Sequence, residues 1–268
     1  MAIMALHSAA TGLQALSTQL DVISNNIANA NNDGFKSSRV NFEDLIYQYQ
    51  QQPGGKNEQG DTRPTGIAVG LGTRVTGTQL DMTQGSPTVT NRDLDVCING
   101  DGFFQVKTDH TADSGLAYTR SGQFFVNDEG DLVLNSSNGY KLEPAVKVPT
   151  NTTSVQILSD GRVMAMTPGN TTSQQVGQIQ LARFVNPQGL EQIGGNLFQR
   201  TDASGPAAVN NPGIEGNGTL QADALESSNA DPVTELVNLI KTQRTFELNS
   251  QSIQAADQML QTVGNLRH

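Results

Sequence analysis

The residues that most often carry catalysis or bind metals are few in this chain and stand far apart. The histidines are His7, His110 and His268, and no cysteine or carboxylate lies at the spacing to them that zinc sites use. Ser8 and Ser17 lie near His7, but no acidic residue is placed to orient its imidazole as a catalytic triad requires. The spacing therefore predicts neither a catalytic site nor a metal site.

Other segments that could bind ions or phosphates are better explained by structural roles. Residues 127–131 (NDEGD) resemble the start of a calcium loop but lack its later glutamate, so a hairpin turn is favoured. Gly66, Gly70 and Gly72 do not form the G-x-G-x-x-G pattern of dinucleotide sites, and no strand–helix unit surrounds them. Cys97, the only cysteine, stands in an apolar run and is predicted as a core residue. We therefore expect no cofactor and no intramolecular disulfide.

The apolar spacing at both ends of the chain predicts long helices. Near each end, large apolar residues recur every seven positions, which is typical of a coiled-coil-like face. Residues 29–35 are predicted to end the first helix, because Gly34 readily adopts left-handed backbone. Asp231 is predicted as the N-cap of the second helix and Pro232 as its first residue. The predicted seam residues are Leu6, Leu13, Leu16, Leu20, Ile23, Ile27, Leu239, Phe246, Ile253 and Leu260.

Between the helices the apolar period shortens to that of β-strands. The strand signals are strand–turn–strand at 95–106, hairpins at 123–134 and 154–166, and an alternating strand at 178–185. Short strands at this spacing indicate an antiparallel β-domain. Residues 47–65 and 201–217 are poor in large apolar residues and are predicted as loops, or as segments that order only against a partner.

These elements predict an α+β fold in four parts. Residues 1–36 and 223–268 supply the long terminal helices of a coiled-coil-like inner domain; 37–75 is an extended connecting segment, and 76–222 a central antiparallel β-domain. Burying each helical seam would contribute roughly 10–20 kcal/mol, whereas ordering each helix costs about 1–2 kcal/mol per residue in backbone entropy. A lone helix is therefore unstable, and the pattern permits a polymer in which neighbouring copies cover the helices.

Composition excludes several classes of partner. The net charge of -10 disfavours nucleic acid, because an acidic chain repels phosphate. No stretch approaches the roughly 18 apolar residues of a membrane span. The N-terminal residues lack a basic region and are interrupted by polar residues, so we expect no Sec-type signal. Only 35% of residues are hydrophobic and tryptophan is absent, which argues against a single thick core.

Four segments, in order, resemble signatures of the flagellar rod and hook protein family. They are 24–36 (SNNIANANNDGFK), 94–104 (LDVCINGDGFF), 118–124 (YTRSGQF) with 138–140 (NGY), and 235–247 (ELVNLIKTQRTFE). Two departures are Cys97, where the family usually has a small residue such as alanine, and Pro232, where an aliphatic residue is common. The residues that the resemblance assigns to family motifs and inter-subunit contacts are Asn25, Asn26, Asn29, Gly34, Phe35, Gly100, Gly102, Phe103, Gln243 and Arg244.

Within this family, residues 47–65 resemble an extended stretch of the distal-rod branch. The resemblance implies a structural, non-enzymatic subunit that polymerises into a rigid tube, transmits torque from motor to hook and encloses an export channel. Implied partners are further copies, proximal-rod subunits, hook subunits or a hook junction, the ring proteins of the peptidoglycan and outer membrane, and the flagellar type III export apparatus. The rod would span the periplasm, with subunits exported without a cleaved Sec signal. A proximal-rod subunit and an extracellular β-sandwich binding module remain alternatives.

Overall fold

The computed structural model describes residues 2–54, 64–108, 115–168 and 173–265, and within them the chain forms two compact units. One unit, here called the helical unit, comprises the described parts of Met1–Ala28, Ser38–Leu80 and Asp231–His268. The other, the β-rich unit, comprises Asn29–Ser37 and the described parts of Asp81–Ala230. His110 and His268 lie outside the described residues, as do positions 55–63 of the predicted stretch 47–65.

The helical unit consists of two long helices and four strands. Its elements are α1 (Ala2–Ala28), β1 (Ser38–Asp44), β2 (Tyr47–Gln51), β3 (Ile67–Gly70), β4 (Thr73–Leu80) and α2 (Pro232–Asn265). Strand β1 pairs antiparallel with β4, and β2 pairs antiparallel with β3. Helix α1 contacts α2 as well as β1 and β4. Part of the predicted connecting segment therefore forms strands that pack with the helices.

The β-rich unit is built from short strands joined by turns. Its strands are β5 (Pro87–Val89), β6 (Val96–Asn99), β7 (Phe103–Lys107), β8 (Leu116–Thr119), β9 (Phe124–Val126), β10 (Leu132–Leu134), β11 (Lys141–Glu143), β12 (Ser154–Ile157), β13 (Arg162–Met166), β14 (Gln174–Gln178), β15 (Leu181–Arg183), β16 (Glu191–Gly194), β17 (Leu197–Gln199), β18 (Ala208–Asn210), β19 (Thr219–Ala222) and β20 (Ala224–Glu226).

The largest sheet among the described residues is antiparallel and runs in the order β16-β17-β8-β7-β11-β10-β9, with β15 joining β7 to β18. Strands β12, β13 and β14 form a second antiparallel sheet, and β19–β6 and β20–β5 are antiparallel pairs. Their inward side chains form one apolar core, which includes Val96, Ile98, Phe104, Val106, Phe124, Leu132, Leu142, Val163, Ile179 and Leu181.

The coarse prediction is confirmed: the fold is α+β, with a long helix at each end and an antiparallel β region between them. The predicted hairpins form as β9–β10 and β12–β13. Asp231 caps α2, because its carboxylate accepts hydrogen bonds from the Val233 and Thr234 N–H groups at 3.2 and 3.3 Å. The Thr234 hydroxyl also donates to this carboxylate, and these bonds lower the Asp231 pKa. The predicted division into terminal helices, connecting segment and central β-domain, with limits at residues 36, 75 and 222, concerns the assembled polymer and stays a prediction.

Three details of the sequence prediction are wrong. Residues 47–51, predicted as part of a loop or a partner-ordered segment, form β2 and pair with β3 in the single chain. The alternating run 178–185 is not one strand, because Gln178 pairs with Arg162 in the second sheet while Leu181 pairs with Phe104 in the first. The run therefore passes from one sheet to the other, and its apolar residues Ile179 and Leu181 are buried. Residues 201–217 are not simply a loop, because they contain β18 and the buried side chain of Ser204.

Candidate functional site

The predicted seam of α1 lies mostly inside the helical unit. Ile23 is buried, and Leu6, Leu13, Leu16, Leu20 and Ile27 are half-buried. Helix α1 also packs closely on the loop before β4: a Cβ added to Gly72 would lie 2.1 Å from the Thr11 hydroxyl oxygen. This helix thus uses its apolar side within its own chain.

The predicted seam of α2 is less well covered. Leu239 and Ile253 are half-buried, whereas Phe246 and Leu260 are exposed by 37% and 38%. Two polar residues of α2, Glu235 and Asn249, approach α1. Asn26 Nδ2 donates to Glu235 Oε1 at 3.2 Å, and a Cβ on Gly12 would lie 3.2 Å from Asn249 Nδ2. Because the later α1 residue meets the earlier α2 residue, the two helices run antiparallel.

A second apolar side of α2 is left largely exposed in the single chain. Val233, Leu236, Val237 and Ile240 are 69%, 49%, 46% and 55% exposed. Their spacing of i, i+3, i+4 and i+7 places them on one side of the helix, here called the outer stripe. The predicted seam of α2 contains none of these four residues, so this separate surface was not predicted. The helical spacing itself was the signal that could have identified it.

Asn26 is the most deeply engaged residue of the predicted asparagine group. Its side chain is 2% exposed; Oδ1 accepts from the Ser38 N–H at 3.0 Å, and Nδ2 donates to the Ser38 carbonyl at 2.8 Å. Asn25 is exposed, whereas Asn29 is half-buried and accepts backbone and side-chain hydrogen bonds from Asn32. Asn26 therefore secures the return from α1 to β1, and inter-subunit bonding by this group stays a prediction.

The glycine of the first motif is required by its surroundings in the β-rich unit. Gly34 has φ of +74°, and a Cβ there would lie 2.7 Å from the Ser121 amide nitrogen. Its own N–H donates to the Glu226 carbonyl at 2.7 Å. The neighbouring Phe35 is half-buried, and its carbonyl accepts from the Asn229 N–H at 3.4 Å. This motif is consequently fastened to the strand and turn that precede α2.

A buried ion pair, which was not predicted from the sequence, follows that glycine. Lys36 Nζ donates to Glu226 Oε1 at 2.5 Å, and both side chains are fully buried. Lys36 Nζ also donates to the Thr83 carbonyl at 2.6 Å, and Arg120 Nη1 lies 3.4 Å from Glu226 Oε2. In the sequence, this pair is only a lysine and a glutamate that are 190 positions apart, each beside apolar residues.

Burial shifts the titration of two groups in this region. The pKa of Lys36 is lowered chiefly because burial disfavours the ammonium, although the Glu226 carboxylate opposes this shift. Burial likewise raises the pKa of the Cys97 thiol to about 11, with Glu226 adding to the effect. The thiol is therefore protonated at neutral pH, which suits the predicted core role and not a nucleophile.

The second motif builds an aromatic cluster in the β-rich unit. Phe103 is buried and packs edge-to-face on Phe184 and Phe198, with ring centroids 5.8 Å apart in both pairs. Gly102 lies against Leu181, and the Gly100 carbonyl accepts a hydrogen bond from Arg120 Nη1 at 2.9 Å. The Arg120 guanidinium stacks over the Phe103 ring at 5.1 Å. These motif residues therefore stabilise the unit's own interior.

The C-terminal motif residues lie on the surface of α2. Gln243 and Arg244 are exposed, and Arg244 Nη1 bonds to Glu247 Oε2 at 3.2 Å.

Within residues 2–54, 64–108, 115–168 and 173–265, no cluster of three histidine, cysteine or acidic side chains could hold a metal ion. In the same part of the chain, neither helix combines the length and apolar character needed to cross a membrane.

A cavity of about 590 Å³ lies in the β-rich unit. Its charged lining residues are Arg92 and Asp93, accompanied by threonines, asparagines and apolar side chains. A glycosidase-type pair of carboxylates is not among these lining residues. The cavity thus offers hydrogen-bonding groups and one pair of opposite charges.

Three segments match known protein families. Residues 6–36 match the family described as flagella basal body rod protein, and 97–165 match the flagellar hook protein FlgE/F/G D1 domain. Residues 221–266 match the flagellar basal body rod FlgEFG protein C-terminal family. The matched segments cover both helices and the strands of the second motif.

Several full-length relatives carry the name flagellar basal-body rod protein FlgG. The protein of that name from Buchnera aphidicola subsp. Baizongia pistaciae is 44% identical over 262 residues, covering 98% of this chain and 99% of the relative. That from Caulobacter vibrioides is 43% identical over 265 residues, with coverage of 98% and 99%. That from Bacillus subtilis is 38% identical over 273 residues, covering 98% of each.

Proposed function

The chain belongs to the family of flagellar basal-body rod proteins of the FlgG type, and from this we propose that it is a structural subunit of the bacterial flagellar distal rod. Relatives that carry the rod-protein name and align along almost their whole length support this function over the proximal-rod and binding-module alternatives. In this function the protein is not an enzyme and needs no cofactor. It polymerises into a rigid drive shaft that transmits torque from motor to hook.

The observation that carries the assembly proposal is the outer stripe of α2. Four aliphatic side chains, each about half-exposed, stand in water on one side of a helix whose other side meets α1. Completing their burial is worth about 3–6 kcal/mol per subunit, taking half of about 1.5–3 kcal/mol for each side chain. Apolar helix surface of this kind is stabilised when another protein surface covers it.

In the assembled rod, the terminal helices would form the inner layer with coiled-coil-like packing, around the export channel. The predicted seam residues Phe246 and Leu260, left partly exposed in the single chain, would gain neighbours there. The β-rich unit would form the outer layer and meet the ring proteins of the peptidoglycan and outer membrane. Proximal-rod subunits and hook or hook-junction subunits would adjoin the two ends of the rod.

The remaining elements of the proposal concern delivery and position. The subunit would pass through the flagellar type III export apparatus without a cleaved Sec signal and assemble at the growing tip, where the rod spans the periplasm. Residues 47–65, of which 47–51 form β2, would connect neighbouring copies and stiffen the shaft.

A charge placed on the outer stripe tests the assembly surface. Ile240→Asp should abolish polymerisation, because an unpaired carboxylate would be buried at every repeat of the interface. The melting temperature of the monomer should hardly change, because Ile240 is already 55% exposed in the single chain. The measurement is electron microscopy of concentrated protein, together with circular dichroism of dilute monomer.

Gln254→Asp is the matched control, since it places the same charge on an exposed position of α2 outside the outer stripe. We expect filaments from this control. Normal filaments from Ile240→Asp would overturn the assembly surface. Absence of filaments from the unaltered protein, with monodisperse particles instead, would count against the polymer itself.

A further inference from the structure

Strand β12 lies at one edge of the second sheet of the β-rich unit, because that sheet runs in the order β12-β13-β14. The Leu158 N–H donates to the Arg162 carbonyl at 3.0 Å, so these two residues form a hydrogen-bonded pair at the end of the ladder. Bonded and non-bonded pairs alternate along antiparallel strands. Gln156 therefore bonds to β13, and the backbone groups of Val155 and Ile157 point away from it.

Strand β19 approaches β12 on that free side. The Leu220 N–H donates to the Ser159 carbonyl at 3.1 Å, just beyond the end of β12. Because this N–H is directed at β12, the alternation also directs the backbone groups of Ala222, two residues later, away from β6. Within the described part of the chain, β12 and β19 are not paired in any sheet. The two strand edges thus meet at one end and leave a gap beside β12.

A cavity of about 370 Å³ occupies this gap. It is lined by residues 154–158 on one side and by Ala222 and Asp223 on the other. The cavity of about 590 Å³ continues it, because both cavities are lined by Asp93, Ser154 and Val155. Together they form one groove along residues 152–158, which is long enough for about six or seven residues of extended peptide at about 3.3 Å per residue.

The free charges of this groove are negative. Asp93 and Asp223 line the smaller cavity and are exposed, and none of its described lining residues is basic. Arg92 lines the larger cavity, but its Nε lies 3.9 Å from Asp95 Oδ1 and its guanidinium stacks over the Phe125 ring at 4.7 Å. Its charge is therefore partly compensated within the protein, and the groove attracts a basic side chain.

Unpaired N–H and carbonyl groups along a strand edge are the groups that an added strand recognises. We propose that the groove beside β12 binds an extended, basic segment of a partner protein, which joins the second sheet as a further strand and bonds to Val155 and Ile157. Asp93 and Asp223 favour a lysine or arginine in that segment. Because this chain has a net charge of -10, the charges favour a different protein over a second copy. The site is present in the single subunit and goes beyond the proposed rod function.

Hydrogen exchange of the dilute, full-length protein, followed by nuclear magnetic resonance, tests the site. The probe is the acetylated and amidated heptapeptide TVTKTVT, which is basic and rich in β-branched residues. Without it, the Gln156 N–H should exchange slowly, because it bonds to β13, and the Val155 and Ile157 N–H groups should exchange faster. Saturating peptide should slow exchange at Val155 and Ile157 by about tenfold or more and leave Gln156 unchanged.

Substitutions separate the backbone contribution from the charges. Val155→Pro removes the N–H that faces the groove and leaves the bonds of Gln156 to β13 in place, so peptide binding should weaken about tenfold in isothermal titration calorimetry. Val155→Thr, which keeps the N–H and the branched side chain, is the matched control and should bind like the parent. Asp93→Asn and Asp223→Asn should each weaken binding about two- to fivefold, whereas Asp202→Asn, at an exposed position outside the groove, should not.

A second peptide makes the test independent of the stability of any variant. It carries N-methyl groups on the lysine and on both neighbouring residues, so it lacks the donors of a strand and should bind about tenfold more weakly or less. Equal binding of the two peptides, unchanged exchange at Val155 and Ile157, or no binding of the unmodified peptide at about 1 mM would overturn the site. Protection of these amides by chitotetraose and not by the peptide would overturn it in favour of a glycan. All measurements use the monomer, so none of these results depends on whether the protein forms rods.

Discussion

Neutralising Glu226 should strongly destabilise the β-rich unit, and neutralising Lys36 as well should cost less than the two single losses added together. Glu226→Gln keeps the size of the side chain and an acceptor for the Gly85 N–H, but leaves the fully buried Lys36 ammonium without its counter-ion. Removing one partner of such a pair costs about 3–5 kcal/mol. At about 2–4 °C per kcal/mol for a chain of this size, the melting temperature should fall by about 6–20 °C.

A double-mutant cycle measures the coupling directly. Lys36→Met alone should cost less than Glu226→Gln, because the carboxylate keeps its bonds to the Gly85 N–H and Arg120. The double variant carries neither buried charge, so its loss should be smaller than the sum of the single losses by about 2 kcal/mol or more. Urea unfolding followed by circular dichroism gives the three free energies. Additive losses would show that the two groups do not interact, and the reasoning would fail.

The pH dependence gives a second check on the same pair. Burial already lowers the Lys36 pKa, and Glu226→Gln removes the carboxylate that opposes this shift, so the pKa should fall further. Between the folded pKa and the unfolded value of about 10.4, the unfolded chain binds more protons, so stability rises with pH. Glu226→Gln should therefore regain part of its loss as pH rises from neutral to alkaline. Lys36→Met/Glu226→Gln, which lacks the titrating group, should not.

Three further predictions concern other parts of the chain. Gly72→Ala should destabilise the helical unit by about 1–3 kcal/mol in urea unfolding, because φ is +115° and the new Cβ would meet the Thr11 hydroxyl; Gly77→Ala, which meets no atom within 4 Å, should be nearly neutral. Cys97 should resist thiol reagents at pH 8 until the protein is unfolded, because burial raises its pKa to about 11; rapid reaction of the native protein would contradict this. Deleting 51–63 should permit polymerisation but give a more bendable rod in electron micrographs, and an equally stiff rod would count against a mechanical role.

The sequence predicted the features that depend on neighbouring residues. The start of α2 was predictable because an aspartate before a proline satisfies the first helical N–H groups locally. The β9–β10 hairpin was predictable because residues 127–131 supply the turn between two apolar runs. The resemblance supplied the family, whose signatures do not follow from periodicity.

The features that the sequence did not predict depend on distant parts of the chain. The partner of Lys36 lies 190 positions away, and nothing local distinguishes Glu226 from an exposed glutamate. The run 178–185 has the alternation of one strand, but Gln178 and Leu181 pair in different sheets. Alternation of apolar residues indicates which side chains face the core. It does not indicate which sheet each backbone N–H or carbonyl group joins.

Periodicity also did not reveal the outer stripe of α2. A heptad pattern shows that some side of a helix is covered, but does not say by what. Within the helical unit, Glu235, Thr242 and Asn249, each seven residues from the next, lie toward α1, so polar contacts set how the two helices align. The outer stripe, 233–240, faces away and is more apolar than this inner line. In an isolated soluble helix pair the apolar side would be inside. An apolar stripe left in water along the first turns of α2 is favourable only where another protein surface replaces water, which is the condition that a rod made of many copies provides.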